Sequence, residues 1–147
     1  MFKRILIPTD GTEFGRNALE QGLEVARLMG SEVTILYALE NPYAFLPAYS
    51  AETPEHTEAM FEHCREESEK ALARIRDIAT AQGVSAKAVL VEDSPVPAIL
   101  EAAKEHDLVV MATHGRKGIE RVLMGSVTDK ILHNCSTAVL VLRGSSA

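Results

Sequence analysis

Five short stretches of the chain, residues 3–9, 32–39, 86–92, 107–113 and 138–142, are apolar and rich in β-branched residues, and each predicts a strand. Ile5-Leu6-Ile7, Leu108-Val109-Val110-Met111 and Val139-Leu140-Val141-Leu142 are apolar without alternation, the pattern of strands covered on both faces. The segments between them have helical periodicity. In the first, Ala18, Gly22, Val25, Ala26 and Met29 share a face and Gly30 marks the stop. The longest helical pattern begins at Pro54 or Thr57 and runs to Gln82, with a stripe of Met60, Cys64, Ala71, Ile75 and Ile78 and Gly83 just past its end. Ser94 followed by Pro95 reads as an N-cap with proline at the first helical position, and Ile99, Ala102 and Ala103 form that helix's buried side. The last helix is expected to begin near Ser126 and to bury Val127, Ile131 and Leu132. Strand–helix alternation with right-handed crossovers predicts a parallel α/β sandwich with helices on both faces. Ligands of such sheets bind beyond the carboxyl ends of the strands, where the winding reverses.

No repeat, low-complexity tract or linker divides the chain, so residues 1–147 read as one domain with a frayed tail at 144–147. Residues 40–56 are the irregular insertion, in which Pro42, Pro47 and Pro54 alternate with Tyr43, Phe45 and Tyr49. Three aromatics in a plain solvent loop are unusual, so the insertion is expected to cover a sheet edge, a helix end, a ligand or a partner.

Charge and cysteine content narrow the function classes. A net charge of −6 over 147 residues argues against a protein that coats nucleic-acid phosphates, but it leaves room for a local site for a small anion. No segment approaches the ~20 apolar residues of a membrane span, and the start of the chain lacks a signal-peptide core. Cys64 and Cys135 have no motif spacing and read as reduced thiols, which makes the cytoplasm the expected location. His56, His63 and Cys64, or His133 and Cys135, can be joined into a metal site only on paper, since no ligand set is completed; they read as surface residues.

The stretch 111–128 carries the candidate chemistry. It leaves the fourth strand at Met111-Ala112, passes through His114, Gly115, Arg116, Lys117 and Gly118, and reaches Gly125-Ser126-Val127-Thr128, read as a helix start. Glycine lets backbone N–H groups approach phosphate oxygens, and a helix end supplies unpaired donors and a partial positive charge. Arg116 and Lys117 supply countercharge. The loop therefore predicts nucleotide binding. The same residues also read as ordinary turn glycines, a helix entry and solvated charges, and the bare spacing does not choose between the two.

With its segments placed, the chain resembles a single-domain universal stress protein over essentially its whole length. The likeness is carried by Ile5-Leu-Ile-Pro-Thr-Asp10, Val33-Thr-Ile-Leu-Tyr-Ala38, Val109-Val-Met-Ala-Thr-His-Gly115, Gly125-Ser-Val-Thr128 and Cys135-Ser-Thr-Ala-Val-Leu-Val-Leu142. The resemblance implies a Rossmann-like, five-stranded parallel sheet in the order 3-2-1-4-5, of the adenine nucleotide α-hydrolase kind, usually in a homodimer. One branch of the family binds ATP or a related adenine nucleotide, and the other does not. The binding branch has glycine, two residues, glycine, nine residues, then Gly-Ser or Gly-Thr. Gly115 and Gly125-Ser126 match the later elements, whereas Ala112 stands at the first glycine. One added methyl group is tolerated there if φ stays negative.

By family position, Asp10 lies beside the ribose, its other reading being a helix cap. Ala38 offers backbone groups to the adenine edge, with Pro8, Thr9 and Met111 helping to wall the pocket. Gly115, Arg116, Gly118, Gly125, Ser126, Val127 and Thr128 are placed around the phosphates. His114 either touches phosphate or stabilises the turn.

The resemblance thus implies a cytoplasmic stress-response or regulatory protein that binds ATP or AMP, with Mg2+ accompanying ATP, and acts through ligand-dependent partner recognition. The apolar edge strand between Ala138 and Leu142 is the expected homodimer contact. No P-loop, nucleophile elbow or His-Glu-x-x-His motif is present, and no acidic cluster is dedicated to magnesium, so at most slow ATP hydrolysis is expected. The competing binding reading is a nucleotide-free dimeric adaptor of the same fold, favoured by Ala112. An adenylate-forming enzyme is disfavoured because Asp10-Gly-Thr-Glu-Phe-Gly15 lacks the basic or serine-rich loop it needs, and because residues 1–147 read as one domain without the substrate domain such an enzyme uses.

Overall fold

A computed structural model of the chain describes residues 1–10, 13–41, 53–113 and 119–143. Strands and helices alternate as β1 (Arg4–Thr9), α1 (Glu13–Met29), β2 (Glu32–Ala38), α2 (Pro54–Ala81), β3 (Ala86–Val91), α3 (Pro95–Ala103), β4 (Leu108–Thr113), α4 (Ile119–Asn134) and β5 (Ala138–Arg143). All four strand pairings are parallel, and the order is β3-β2-β1-β4-β5, as the family resemblance implies.

Side-chain alternation along the strands builds two cores. Ile5, Ile7, Val33, Ile35, Leu108 and Val110 face α1 and α2, where Leu19, Leu23, Ala26, Leu72, Ile75 and Ala79 cover them. Leu6, Leu36, Val109 and Met111 face the other way, against Ala98, Ile99 and Ala103 of α3 and Ile131 of α4. Two helices end on glycines that only a residue tolerant of positive φ can occupy: Gly30 (φ +65°) after α1 and Gly83 (φ +75°) after α2. The start of α2 is capped by Thr53, whose hydroxyl accepts from the His56 N–H at 3.1 Å, with Pro54 at the first helical position.

The helical faces differ in phase from those read off the sequence. In α1 Gly22 and Ala26 of the expected face are buried, but the bulky contacts are Leu19 and Leu23, which that face left out, and Met29 is exposed. In α2 the buried line is Phe61, Ser68, Leu72, Ile75 and Ala79; Met60 is exposed, and Cys64, Ala71 and Ile78 flank the contact. Both stripes have helical spacing, and the one with the bulkier Phe61 and Leu72 turns inward because it removes more apolar area from water. Leu132 on α4 is 48% exposed rather than buried.

The largest difference is the start of α4. It begins at Ile119, so Gly125 and Ser126 lie more than a turn inside the helix and do not open it. Glu120, Arg121, Leu123 and Met124 are strong helix formers. A single interior glycine costs about 1 kcal/mol, too little to delay the start. The aromatics Tyr43, Phe45 and Tyr49, the loop 114–118 and the tail 144–147 lie outside the described residues.

Candidate functional site

β1 and β2 pair along their whole lengths, from Arg4–Glu32 to Thr9–Tyr37. β1 and β4 pair only at Ile5–Leu108 and Leu6–Val109, although β1 continues to Thr9 and β4 to Thr113. The first crossover leaves β1 towards β2, and the chain later returns to β4 on the other side, so no helix is forced into this gap. The ladder opens at the switch point of the sheet, where doubly wound folds bind ligands.

A cavity of about 210 Å3 occupies the opening. It is lined by seven residues read from the sequence as site candidates: Pro8, Thr9 and Asp10 from the end of β1, Ala38 from β2, Met111 and Ala112 from β4, and Val127 from α4. Asp10 stands exposed at its rim. Ala112 keeps an ordinary strand conformation, in register with Leu142, and among the described residues no residue other than glycine has a positive φ. The condition for tolerating a methyl group at the first motif position is therefore met.

Thr128 is 5% exposed and lies beneath this end of the sheet; its hydroxyl donates to the Ala112 carbonyl oxygen over a long 3.5 Å. That contact docks α4 against β4. Gly125 and Ser126 follow the same helix just before Val127, while His114, Gly115, Arg116 and Gly118 lie outside the described residues.

Sequence reading missed the rest of the wall. Ile7, Leu19, Tyr37 and Val110 enclose the cavity from the α1 face, and Leu36, Pro95 and Ile99 from the α3 face. Such residues look like plain core in sequence. The available signal was parity, since Ile7 shares a sheet face with Thr9, whose register partner is Tyr37.

The two helices at the cavity present different chemistry. The first turn of α3 reads Pro95-Val96-Pro97-Ala98; two of its positions lack an N–H, and the Ala98 N–H is bonded to the Ser94 carbonyl at 3.2 Å. This helix end offers an anion little and offers the cavity an apolar surface. The first turn of α4, Ile119-Glu120-Arg121-Val122, contains no proline, so every position there keeps the backbone N–H that a helix start carries. The cavity is thus apolar at the α3 side, with Val127 of α4 beside Ala112. Few polar groups in an apolar slot is the usual make-up of a small-molecule site.

The family model of universal stress proteins matches residues 1–143 of the chain. Universal stress protein MJ0531 of Methanocaldococcus jannaschii is 33% identical over 146 residues, covering 97% of this chain and 83% of that protein. Among solved structures, that of hypothetical protein MJ0577 superposes with a TM-score of 0.83 at 24% identity, covering 100% of this chain and 99% of the other. A universal stress protein solved in complex with cAMP superposes with a TM-score of 0.71 at 22% identity, each chain covered to 97%.

Proposed function

The chain belongs to the universal stress protein family, and from that premise we propose that it binds an adenine nucleotide, ATP or AMP, in the cavity between the ends of β1, β2 and β4. The observation that carries this reading is the opened β1–β4 ladder, whose cavity gathers Pro8, Thr9, Asp10, Ala38, Met111, Ala112 and Val127. The apolar side at Pro95 and Ile99 suits a flat base, and Asp10 at the rim suits ribose hydroxyls. The phosphates run towards His114, Gly115, Arg116 and Gly118 and the adjacent donors of α4, beside Gly125, Ser126 and Thr128, with Mg2+ accompanying ATP. The relative solved with cAMP supports an adenine ligand in this fold.

The protein acts as a cytoplasmic regulator, the nucleotide changing its stability and its recognition of a partner, and any ATP hydrolysis is slow. Two copies associate through β5. Among the described residues this edge strand has β4 as its single neighbour, and Val139, Leu140, Val141 and Leu142 are only half-buried in one chain. A second reading, a nucleotide-free adaptor, is favoured by the position of Gly125 and Ser126 inside α4, where backbone N–H groups serve the helix ladder.

Calorimetric titration with AMP, ATP and GTP separates the two, together with mass spectrometry of ligand released from the denatured protein. The nucleotide reading expects adenine nucleotides to bind below millimolar concentration, and at a hundredfold excess over Kd to add about 2.7 kcal/mol of stability. Asp10→Ala weakens binding with the fold intact, and Ala112→Leu fills the cavity and abolishes it. Absence of any adenine nucleotide binding below millimolar leaves the adaptor reading standing.

A further inference from the structure

The mouth of the cavity is tied by two side chains far apart in sequence. Glu40 lies two residues beyond Ala38, and Ser94 immediately precedes Pro95, so each is next to a wall of the cavity. The Ser94 hydroxyl donates to Glu40 Oε1 at 2.8 Å across 54 positions of chain. Alongside it, the Leu39 N–H donates to the Val91 carbonyl at 2.7 Å, and the Ser94 N–H to Asp93 Oδ1 at 2.8 Å.

The Ser94 side chain does not cap its own helix. Ser94 has the extended backbone of an N-cap (φ −65°, ψ 147°), yet its side chain makes no capping hydrogen bond. A capping serine accepts from the N–H of the second or third helical residue. The third is Pro97, which has none. Pro97 thus removes one of the two possible cap donors, and the Ser94 side chain is turned to the end of β2, where it donates to Glu40.

We propose that Glu40 and Ser94 are a positioning pair that fixes the gap between the end of β2 and the start of α3, and so sets how firmly the base of the nucleotide is gripped; this rests on the nucleotide reading above. A charge-assisted hydrogen bond restricts one rim against the other. Its loss leaves the Ala38 backbone and Pro95 in place on average but lets the gap widen, which acts on ligand escape more than on entry.

The test is AMP binding kinetics for the wild type, Ser94→Ala, Glu40→Ala, the double variant and Ser94→Thr, with amide exchange at Leu39 measured without nucleotide. Each alanine variant is expected to weaken AMP by about threefold to tenfold, mainly in koff. The double variant should lose no more than the worse single one, and Ser94→Thr, which keeps the hydroxyl, should bind like the wild type. Exchange at Leu39 should quicken in both alanine variants. General loosening would instead give additive losses with a lowered unfolding midpoint, and would overturn the pairing. So would alanine variants that bind AMP like a binding wild type. A wild type that binds no AMP overturns the nucleotide reading itself; unchanged exchange at Leu39 then also removes the tie, whereas faster exchange leaves it as a structural contact only and overturns its role in gripping a base.

Discussion

The Asp107 carboxylate accepts hydrogen bonds from the backbone N–H groups of Lys3 (3.0 Å) and Arg4 (2.9 Å), joining the start of β4 to the start of β1. The Arg4 N–H is the main cause that holds this carboxyl below its usual range; partial desolvation opposes it, and the Lys3 N–H and the nearby Arg4 and His106 charges add to the lowering. Because the folded group loses its proton at lower pH than the unfolded one, the unfolded chain binds more protons in between, and stability there rises with pH. The contribution is complete above the unfolded aspartate value of about 3.9 and disappears as pH falls through the depressed folded value. Urea unfolding of the wild type and Asp107→Asn should therefore differ by a constant amount at neutral pH, with the gap closing only below about pH 4. A gap that closes between pH 5 and 7 would assign the effect to another group. The residue is unremarkable in sequence, since an aspartate before a strand predicts no partner a hundred positions away.

At the scale of single elements, α4 is where local reading and structure part. The glycine–serine pair resembles a helix entry in isolation, but the residues before it have the higher helix propensity, and the helix starts at Ile119. The consequence is measurable. An interior Gly125 replaced by alanine should gain about 0.5–1 kcal/mol in denaturant unfolding, since glycine carries that cost in a helix. A loss of stability would instead indicate a conformation that only glycine tolerates, as at a helix boundary. The same variant reports on the site, because a methyl group at Gly125 also stands where phosphates are proposed to approach, so a more stable protein with weaker nucleotide binding is the expected outcome. The α2 stripe teaches a related lesson: periodicity identified the helix but left its inward face ambiguous by one position, and the bulk of Phe61 and Leu72 decided it.

For the whole molecule, the sheet order leaves β3 and β5 as edges. Each carries one charged residue, Lys87 on β3 and Arg143 on β5, but β5 presents the bulkier apolar run, Val139-Leu140-Val141-Leu142, where β3 has Ala86 and Ala88. The proposed dimer through β5 predicts that sedimentation at tens of micromolar gives two copies. Val141→Lys, which places a charge on the half-buried edge strand, should shift the population to monomer while far-ultraviolet circular dichroism stays unchanged. A wild type that sediments as a monomer at that concentration removes β5 as the contact. Among the described residues no helix is long and apolar enough to cross a membrane.

The sequence alone determined the alternation of strands and helices, the parallel class, and the strand ends at Thr9, Ala38 and Thr113, to within a residue. Those features are local: apolar runs, periodicity and glycine stops are written in neighbouring residues. The strand order came from family resemblance and was met in full. Only the tertiary structure decided that β1 and β4 stop pairing after Leu6 and Val109, that Ile7, Leu19, Tyr37, Val110, Pro95 and Ile99 complete the cavity, and that Ser94 meets Glu40. These depend on how far two strands diverge and on which side chains face the space between them. Residues far apart along the chain share that geometry, and no local pattern of hydrophobic and polar positions encodes it.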